Sequence, residues 1–553
     1  MELWIVWWNQ VRQLRPAFSR TRTFVWFAVA LAATCVRSDL LGVTSMVRAL
    51  GLQERCYDRL LDSFHSRALD LEALTRRWVG LVLLTLKPFL YTVQGRIVLV
   101  ADGIKVAKTG RKMPAVKKLH QESDNNTKPE FIFGHSCQAV ALIVRAASSF
   151  LAIPLACRIH EGVVFTNRDH RTLLDKLILL VSSLAVTLPF YLIADTYYAA
   201  ANIIRPLLKA GQHLIAAVRS NAVAYEAAPA PTIPRRGRPR IYGKKIKLKT
   251  LFKEEAAFTL ASSPIYGEKN VVLRYRIIDL YWKPVGCLVR FVLAIHPTRG
   301  RKILLSTDLS LAGLQIIELF GVRFKIEVSF KQAIYTIGTY AYHFWMSAMI
   351  PRPRRSGNQY LHRKSQSYRD QVRRKIGAYH AHIQLGVIAQ GMLQTLALRC
   401  TATVWNRFGS WLRTIRPGIL PSELVVAVAL RHSLPVFLAD SPEDHILAKF
   451  IPSDLISPAT KAPFWPPHSL ESIPALPYRH RHEVGVVHPS RLFDRPRRPH
   501  GAGKRRLPRV WRAACPVASA LPLSGSRLGR RRHSRLCRHH SRPFHHHACP
   551  ADP

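Results

Sequence analysis

The chain has 553 residues and a formal net charge of +49 at pH 7, and 48% of its residues are hydrophobic. That hydrophobic content is ample for folded cores and excludes a wholly disordered chain. The positive charges of so basic a chain repel one another unless a polyanion neutralises them, and nucleic acid is the usual polyanion. Ribosomal and membrane-surface proteins are basic too. Composition therefore favours a nucleic-acid-binding protein with several structural units.

Nine cysteines are scattered along the chain without a Cys-x-x-Cys pair. This spacing predicts neither a zinc knuckle nor a dense disulfide framework. We expect reduced thiols in a cytoplasmic protein.

One uncharged stretch, residues 177–194, is 18 residues long, at the lower edge of a membrane-spanning length. It is interrupted by polar residues and a proline, namely Ser182, Ser183, Thr187 and Pro189. Its last part, Phe190 to Ala194, is typical of a buried strand. We expect a soluble protein with no membrane partner, and a membrane-associated basic protein built on this stretch is the alternative.

Residues 1–90 have apolar positions at helical spacing and predict a helical N-terminal region. Within it, a helix over Thr44 to Leu50, a turn at Gly51 and a helix from about Gln53 to Phe64 resemble a helix-turn-helix. We expect this region to bind DNA, and a purely structural helix pair is the alternative.

Residues 91–222 alternate between strand and helix patterns, beginning with a continuous apolar strand over 95–102. Further strands are predicted at 130–133, 139–144, 149–157, 190–194 and 213–218, with helices at about 170–180 and 198–208. This alternation predicts the first part of an α/β sheet core.

Residues 223–305 change to a basic, Pro-rich opening followed by strands at about 271–279 and 286–295, which predicts a β-rich insertion. The core is expected to resume over 306–345 with a helix that Ser310 caps and that runs through Glu327 to about Ile334.

Helical periodicity from about Tyr340 to Phe450 predicts a helical C-terminal region, assigned to 346–457. Residues 458–553 are rich in Arg, Pro, His and Ala without any period, which predicts a disordered basic tail. Residues 1–457 still carry a formal charge of +34, so the basic character belongs to the folded part too. Two explanations of the tail stay open: it is an out-of-frame product of a GC-rich gene, or it is a functional basic arm.

Three acidic residues stand in settings suited to metal chemistry: Asp102 and Asp195 end predicted strands, and Glu327 lies on an amphipathic helix. Side chains at the carboxyl ends of neighbouring strands meet in one crevice. Phosphodiester cleavage needs an activated water and relief of charge on the leaving oxygen, which two Mg²⁺ ions roughly 4 Å apart supply. Mg²⁺ prefers oxygen ligands, so these three residues are the candidate catalytic and metal-binding set.

Each acidic residue also has a plain structural interpretation. An aspartate after a strand is commonly a turn former or helix cap, and Glu327 lies four residues from both Arg323 and Lys331, with which it could form surface ion pairs. However, Phe320, Arg323, Glu327 and Lys331 share one helical face, so a carboxylate and two phosphate-binding cations come together.

The sequence resembles insertion-sequence transposases of the DDE class over roughly residues 40–455. The likeness lies in Ala101-Asp-Gly-Ile-Lys105, Gly134-His135, Ala194-Asp-Thr-Tyr197 and Arg323-Phe-Lys-Ile-Glu327. The subgroup it resembles has a β-rich insertion and a Tyr-x2-Arg-x3-Glu-x6-Lys signature. Phe320 stands at the tyrosine of that signature and Ile334 at its lysine, and Lys331 is the candidate substitute.

The resemblance implies an α/β fold with an RNase H-like mixed sheet and flanking helices. It also implies that Asp102, Asp195 and Glu327 bind two Mg²⁺ ions, with Mn²⁺ as a possible replacement, and that Arg323 contacts DNA. The implied partners are double-stranded DNA, both transposon end and target, and a second copy of the chain in the DNA complex.

A second DNA-binding candidate is the run Arg235-Arg-Gly-Arg-Pro-Arg240. Gly-Arg-Pro between arginines resembles an AT-hook, in which Arg236, Arg238 and Arg240 would enter a narrow minor groove. A basic linker is the alternative. The cationic stretches 352–355 and 363–375 are expected to bind phosphates without sequence specificity.

These observations predict a DDE transposase that cleaves DNA at transposon ends and transfers the strands, working at the nucleoid in a bacterial cytoplasm. The alternative is a catalytically inactive or decayed relative that still binds DNA, a reading that Phe320, Ile334 and the tail favour.

Overall fold

The fold is described from a computed structural model of the chain. It describes residues 2–121, 129–147, 149–230, 240–410 and 414–440, together with 447 and 449. Arg236, Arg238 and the predicted tail over 458–553 lie outside the described residues.

Helices from both ends of the described chain pack together. The N-terminal helices are α1 (Glu2–Gln13), α2 (Thr21–Val36), α3 (Val43–Ala49), α4 (Cys56–Phe64) and α5 (Leu71–Thr85). The indole nitrogen of Trp4 donates to the carbonyl of Leu430 at 3.0 Å, and Arg431 donates to the carbonyl of Val36 at 2.7 Å. The predicted helical pair is present as α3 and α4, with Gly51 at a positive φ of 57° between them.

The core sheet has the mixed arrangement of RNase H-like folds, as predicted. Its strands and helices are β1 (Thr92–Val93), β2 (Arg96–Ala107), β3 (Lys117–His120), β4 (Phe131–Ala146), β5 (Ser149–Ile159), β6 (Val163–Val164), α6 (Leu173–Ser183), β7 (Phe190–Ala194), α7 (Ala201–Lys209) and β8 (His213–Ala217). The main order is β5-β4-β2-β7-β8, in which β2, β7 and β8 are parallel and β4 is antiparallel to both of its neighbours.

Two strand predictions differ from the structure. The strand predicted over 95–102 continues to Ala107, and the strands predicted near 130–133 and 139–144 are the single strand β4. β4 is continuous because β2 pairs along it as far as Gly134 and gives its polar middle, including His135 and Gln138, a complete backbone ladder.

The strands of the predicted insertion extend the core sheet. They are β9 (Val223–Ala227), β10 (Tyr242–Lys247), β11 (Thr259–Ser262), β12 (Val272–Trp282), β13 (Cys287–His296) and β14 (Gly300–Ser306). β14 pairs antiparallel with β8, with Leu304 opposite Ala217 and Ser306 opposite Ile215. One sheet therefore runs from β10 through the insertion and into the core.

The long helix predicted after Ser310 is two helices, α8 (Gly313–Val322) and α9 (Lys325–Gln332). The chain tightens between them, where the amide of Arg323 donates to the carbonyl of Phe320, three residues back. Ser310 does not cap α8, because its hydroxyl binds Asp308 and Gln94 instead. A π-helical turn, Ala333–Ile337, follows α9 and ends at Gly338 with φ of 69°.

The prediction of helix from Tyr340 is wrong for its first part. The chain between Tyr340 and Ser365 is irregular, and its short strand β15 (Gln359–Tyr360) pairs with β6. Tyr342, Phe344 and Met346 are buried while the residues between them are exposed, which is the two-residue period of extended chain. Helices resume with α10 (Gln366–Arg399), α11 (Thr401–Phe408) and α12 (Glu423–Ala439).

The stretch 177–194 forms the end of α6, a connection and the buried strand β7. Among the described residues, no helix combines the length and the apolar character needed to cross a membrane. The six cysteines among the described residues are all free thiols.

Candidate active site

The register of β2 and β7 brings Asp102 and Asp195 side by side. Val100 lies opposite Ile193 in this parallel pair, and both side chains belong to the same face of the sheet. Each aspartate stands two residues beyond that pair, so strand alternation returns both to that face. The two aspartates are 93 positions apart in the sequence, and two adjacent strands bring them together.

Asp195 follows the last residue of β7 and begins a 3₁₀ turn over Thr196–Tyr198. Its carboxylate makes no capping hydrogen bond to this turn, so the helix-cap interpretation does not explain it. Asp102 lies inside β2, at the level where pairing with β7 has ended. Its Oδ1 accepts a hydrogen bond from the amide of Gly103 at 2.7 Å.

Arg323 joins the third acidic residue to the strands. Its Nη1 lies 3.0 Å from Oδ2 of Asp102, and its Nη2 lies 2.8 Å from Oε1 of Glu327. The Arg323 side chain is 11% exposed, the Asp102 side chain 21% and that of Glu327 39%. The tight turn between α8 and α9 thus places a buried guanidinium between two carboxylates.

The electrostatics of the site are those of crowded acids around one cation. Burial raises the pKa of Asp102 to about 6; Arg323 and the Gly103 amide oppose this rise, while Asp195 and Glu327 add to it. Burial acts to lower the pKa of Arg323, but the three carboxylates outweigh it and raise that pKa above its usual value. Burial, with the charge of Asp102, also raises the pKa of the neighbouring Tyr198 phenol.

The donor set suits a hard divalent cation, because carboxylate oxygens are the ligands that Mg²⁺ and Mn²⁺ favour. The guanidinium of Arg323 already binds two of the three carboxylates, as a cation would. In the part of the chain that the structure describes, no three His, Cys, Asp or Glu side chains are gathered closely enough to hold a metal ion. The residues therefore fit such an ion in chemistry, with Arg323 as the present counter-ion.

A cavity of about 280 Å³ opens beside Asp195, between α8 and the strands of the insertion. Its walls are largely apolar, and they include Leu304, Ile317 and Phe320. Lys302 and Arg323 also line it. Lys302 is not among the residues predicted from the sequence. The signal that could have found it is the alternation of β14, which puts Lys302 on the same face as the buried Leu304.

The other predicted site residues lie away from this centre or outside the described chain. Lys331 is exposed on α9 and, within the described residues, forms no ion pair with the three acids. Ile334, at the lysine position of the signature, packs against the core. Arg240 is exposed at the start of the insertion, where its side chain donates to the carbonyl of Tyr242 at 2.9 Å.

The cationic loop near residue 352 is hydrogen-bonded to the loop after β2. The amide of Arg352 donates to the carbonyl of Arg111, and the side chain of Arg111 donates back to the carbonyl of Arg352. Exposed Arg354 and Arg355 follow, with Trp345 64% exposed nearby in the same chain segment. The two loops form one basic surface.

Part of the chain is similar to a known protein family. A family model described as DDE superfamily endonuclease matches residues 13–262, a range that includes Asp102 and Asp195 but ends before Glu327. No curated protein matches the sequence. Among solved structures, a cryo-EM structure of a piggyBac transposase synaptic complex with hairpin DNA is similar at 13% identity and a TM-score of 0.31, covering 80% of this chain and 74% of that one. Residues 13–262 of the chain are therefore similar in sequence to DDE superfamily endonucleases.

Proposed function

We propose that this chain is a DDE endonuclease that acts as a transposase, which cleaves DNA at the ends of a transposon and transfers the freed strands to target DNA. The observation that carries the proposal is the register that sets Asp102 beside Asp195, with Glu327 drawn to Asp102 through Arg323. Two carboxylates on adjacent strands and a third on a helix form the kind of acidic centre that phosphodiester chemistry needs.

In this proposal Asp102, Asp195 and Glu327 hold two Mg²⁺ ions, or Mn²⁺ in their place. Such ions, when bound, lower the pKa of a water molecule and stabilise charge on the leaving oxygen. In the cleavage step the water oxygen bonds to phosphorus, the bond from phosphorus to the 3′-oxygen breaks, and the water proton is released. In the transfer step the 3′-hydroxyl takes the place of water. Arg323 changes partner from carboxylate to phosphate.

The DNA partner is supported by charge. The chain carries +49 overall, and the basic surface around Arg111 and Arg352 offers cations to phosphates. Lys331 and Arg240 are exposed and would add contacts, with Arg236 and Arg238 in the same basic run. Joining two transposon ends calls for two active sites, so we propose a homodimer in the DNA complex, acting at the bacterial nucleoid.

A DNA-binding relative without catalytic activity is the second candidate. One observation that favours it is the pairing of Arg323 with both Asp102 and Glu327, since these ion pairs occupy the carboxylates that would bind metal. Another is the presence of Phe320 and Ile334 at the tyrosine and lysine positions of the signature.

Nicking of a supercoiled plasmid in Mg²⁺ or Mn²⁺ separates the two candidates. The purified chain should relax the plasmid, and Asp102→Asn and Asp195→Asn should each abolish relaxation while leaving DNA binding intact. Asp370→Asn, on the exposed side of α10, is the matched control and should cleave normally. Cleavage retained in either active-site variant would refute the assignment, and a wild-type chain that binds DNA without metal-dependent nicking would favour the inactive relative.

A further inference from the structure

Lys302 reaches the acidic centre from the insertion. It lies on β14 two residues before Leu304, which is opposite Ala217 of β8. Ala216 of β8 is in turn opposite Ala194, the residue before Asp195. Because β14 runs antiparallel to β8, the step from Leu304 back to Lys302 leads to the edge of the sheet where Asp195 stands.

Lys302 and Asp195 share a face of the sheet as well as an edge. Leu304 and Ile193 belong to one apolar cluster under α8, and alternation returns Lys302 and Asp195 to that face. Lys302 and Asp195 line the same cavity, with Arg323 beside them. The Lys302 ammonium lies 6.0 Å from the centre of the Phe320 ring. Burial lowers the pKa of Lys302, and the charge of Asp195 opposes that fall.

A lysine in such a place has two possible tasks. It could serve as a structural counter-ion to Asp195, or it could bind substrate. Lys302 and Arg323 together face three carboxylates, and once those carboxylates are neutralised by divalent ions both cations lose their counter-charge. A phosphodiester then supplies the anion that they lack.

We propose that Lys302 is a substrate-binding residue of the active site, whose ammonium donates hydrogen bonds to a non-bridging oxygen of the phosphodiester being cut. The insertion thereby contributes a residue to the site. This inference rests on the proposed nuclease function and adds to it a residue that lies outside the carboxylate set and its signature.

The neighbouring residue provides a matched control. Arg301 is exposed, and alternation turns it to the opposite face, where its guanidinium carbon lies 5.5 Å from the centre of the Phe252 ring. Lys302→Gln and Arg301→Gln each remove one positive charge from adjacent positions of β14. Any general loss of DNA attraction is therefore equal in the two variants.

Two measurements on the full chain test the proposal: nicking of supercoiled plasmid, and Mn²⁺ binding in the absence of DNA by electron paramagnetic resonance. We expect Lys302→Gln to slow nicking by about 10²-fold, the size of effect seen when one transition-state donor is removed. Its Mn²⁺ affinity should be unchanged or tighter, because a cation near Asp195 has gone. Arg301→Gln should match the wild type in both, and Lys302→Arg should recover part of the nicking rate.

Each other outcome overturns the proposal. Equal nicking by Lys302→Gln and Arg301→Gln would show that Lys302 does not bind the substrate. Joint loss of nicking and Mn²⁺ binding in a Lys302→Gln protein with a wild-type melting temperature would make Lys302 a structural counter-ion; if that variant melts early, Lys302→Met decides by the same two measurements. If the wild type binds no more Mn²⁺ and nicks no faster than Asp195→Asn, the nuclease function itself fails, and the role of Lys302 falls with it.

Discussion

Arg323 and Asp102 form an ion pair of 3.0 Å that joins the turn between α8 and α9 to the central strand β2. Arg323→Met should therefore destabilise the metal-free protein by about 3 kcal/mol, since it leaves the largely buried Asp102 carboxylate without a counter-ion. Mn²⁺ should raise the melting temperature of this variant more than that of the wild type. Arg290→Met is the control, because Arg290 pairs with Asp279 elsewhere in the sheet and its loss should not change the response to Mn²⁺. An equal response in both variants would contradict the prediction.

Asp102→Asn should make the metal-free protein more stable at neutral pH. The folded-state pKa of Asp102 is raised to about 6, above the ordinary 3.8, so its ionisation disfavours folding. Stability falls as pH rises from about 4 to about 6, and the deficit stays above that range. The variant should gain about 1–3 kcal/mol at pH 7.5 in EDTA and little below pH 4. Urea unfolding at both pH values tests this, and a variant less stable than wild type at pH 7.5 would refute it.

Gly134→Ala should destabilise the fold severely. A Cβ on Gly134 would lie 1.9 Å from the carbonyl oxygen of Val106 on β2, and backbone cannot move aside as a side-chain tip can. We expect a loss of more than about 4 kcal/mol or no folded protein. Gly377→Ala is the matched control, because Gly377 is an exposed position of α10 where a Cβ meets nothing within 4 Å, and it should add about 0.5–1 kcal/mol. Thermal unfolding compares them, and similar melting temperatures would count against the close approach of β2 and β4.

Arg37→Gln should loosen the end of the helical segment that carries Glu327. The buried Arg37 guanidinium donates to the carbonyls of Ile337 and Gly338, just after the π-helical turn, and to that of Gly42. Burial lowers the pKa of Arg37 to about 10, so the side chain remains charged at neutral pH. We expect a loss of about 3 kcal/mol in urea unfolding, because three buried carbonyls lose their donor. Arg48→Gln, which removes an exposed pair with Asp39, should cost at most about 1 kcal/mol.

The strand that ends just before Asp195 could be predicted from the sequence because it depends on local pattern. The apolar run that ends at Ala194 predicts a strand, and β7 ends at that residue in the structure. Asp102 was expected to end its strand, but β2 continues because β4 pairs with it to Ala107. That partner is distant in the sequence and leaves no mark on the local pattern.

The helix of Glu327 and the segment after it were harder to predict. A helical period runs through the tight turn at Arg323, so the break has no local signal. Arg323 was expected to meet DNA, a role that stays a prediction, but its pairing with Asp102 depends on tertiary contact. The sequence does not distinguish Lys302 from the adjacent and equally basic Arg301. Only the register of the sheet shows that Lys302, and not Arg301, lies on the side of Asp195.

The pairing of β14 with β8 limits how the insertion can move relative to the core. A domain that swings on a flexible linker could open a cleft without breaking any backbone hydrogen bond. Here the insertion is tied to the core by the ladder between Leu304 and Ala217, and its strands follow the twist of the same sheet. Opening between them would break that ladder, so the insertion must move with the core as one stiff body. In the proposed transposase, the duplex therefore reaches the acidic centre from the outer edge of the sheet.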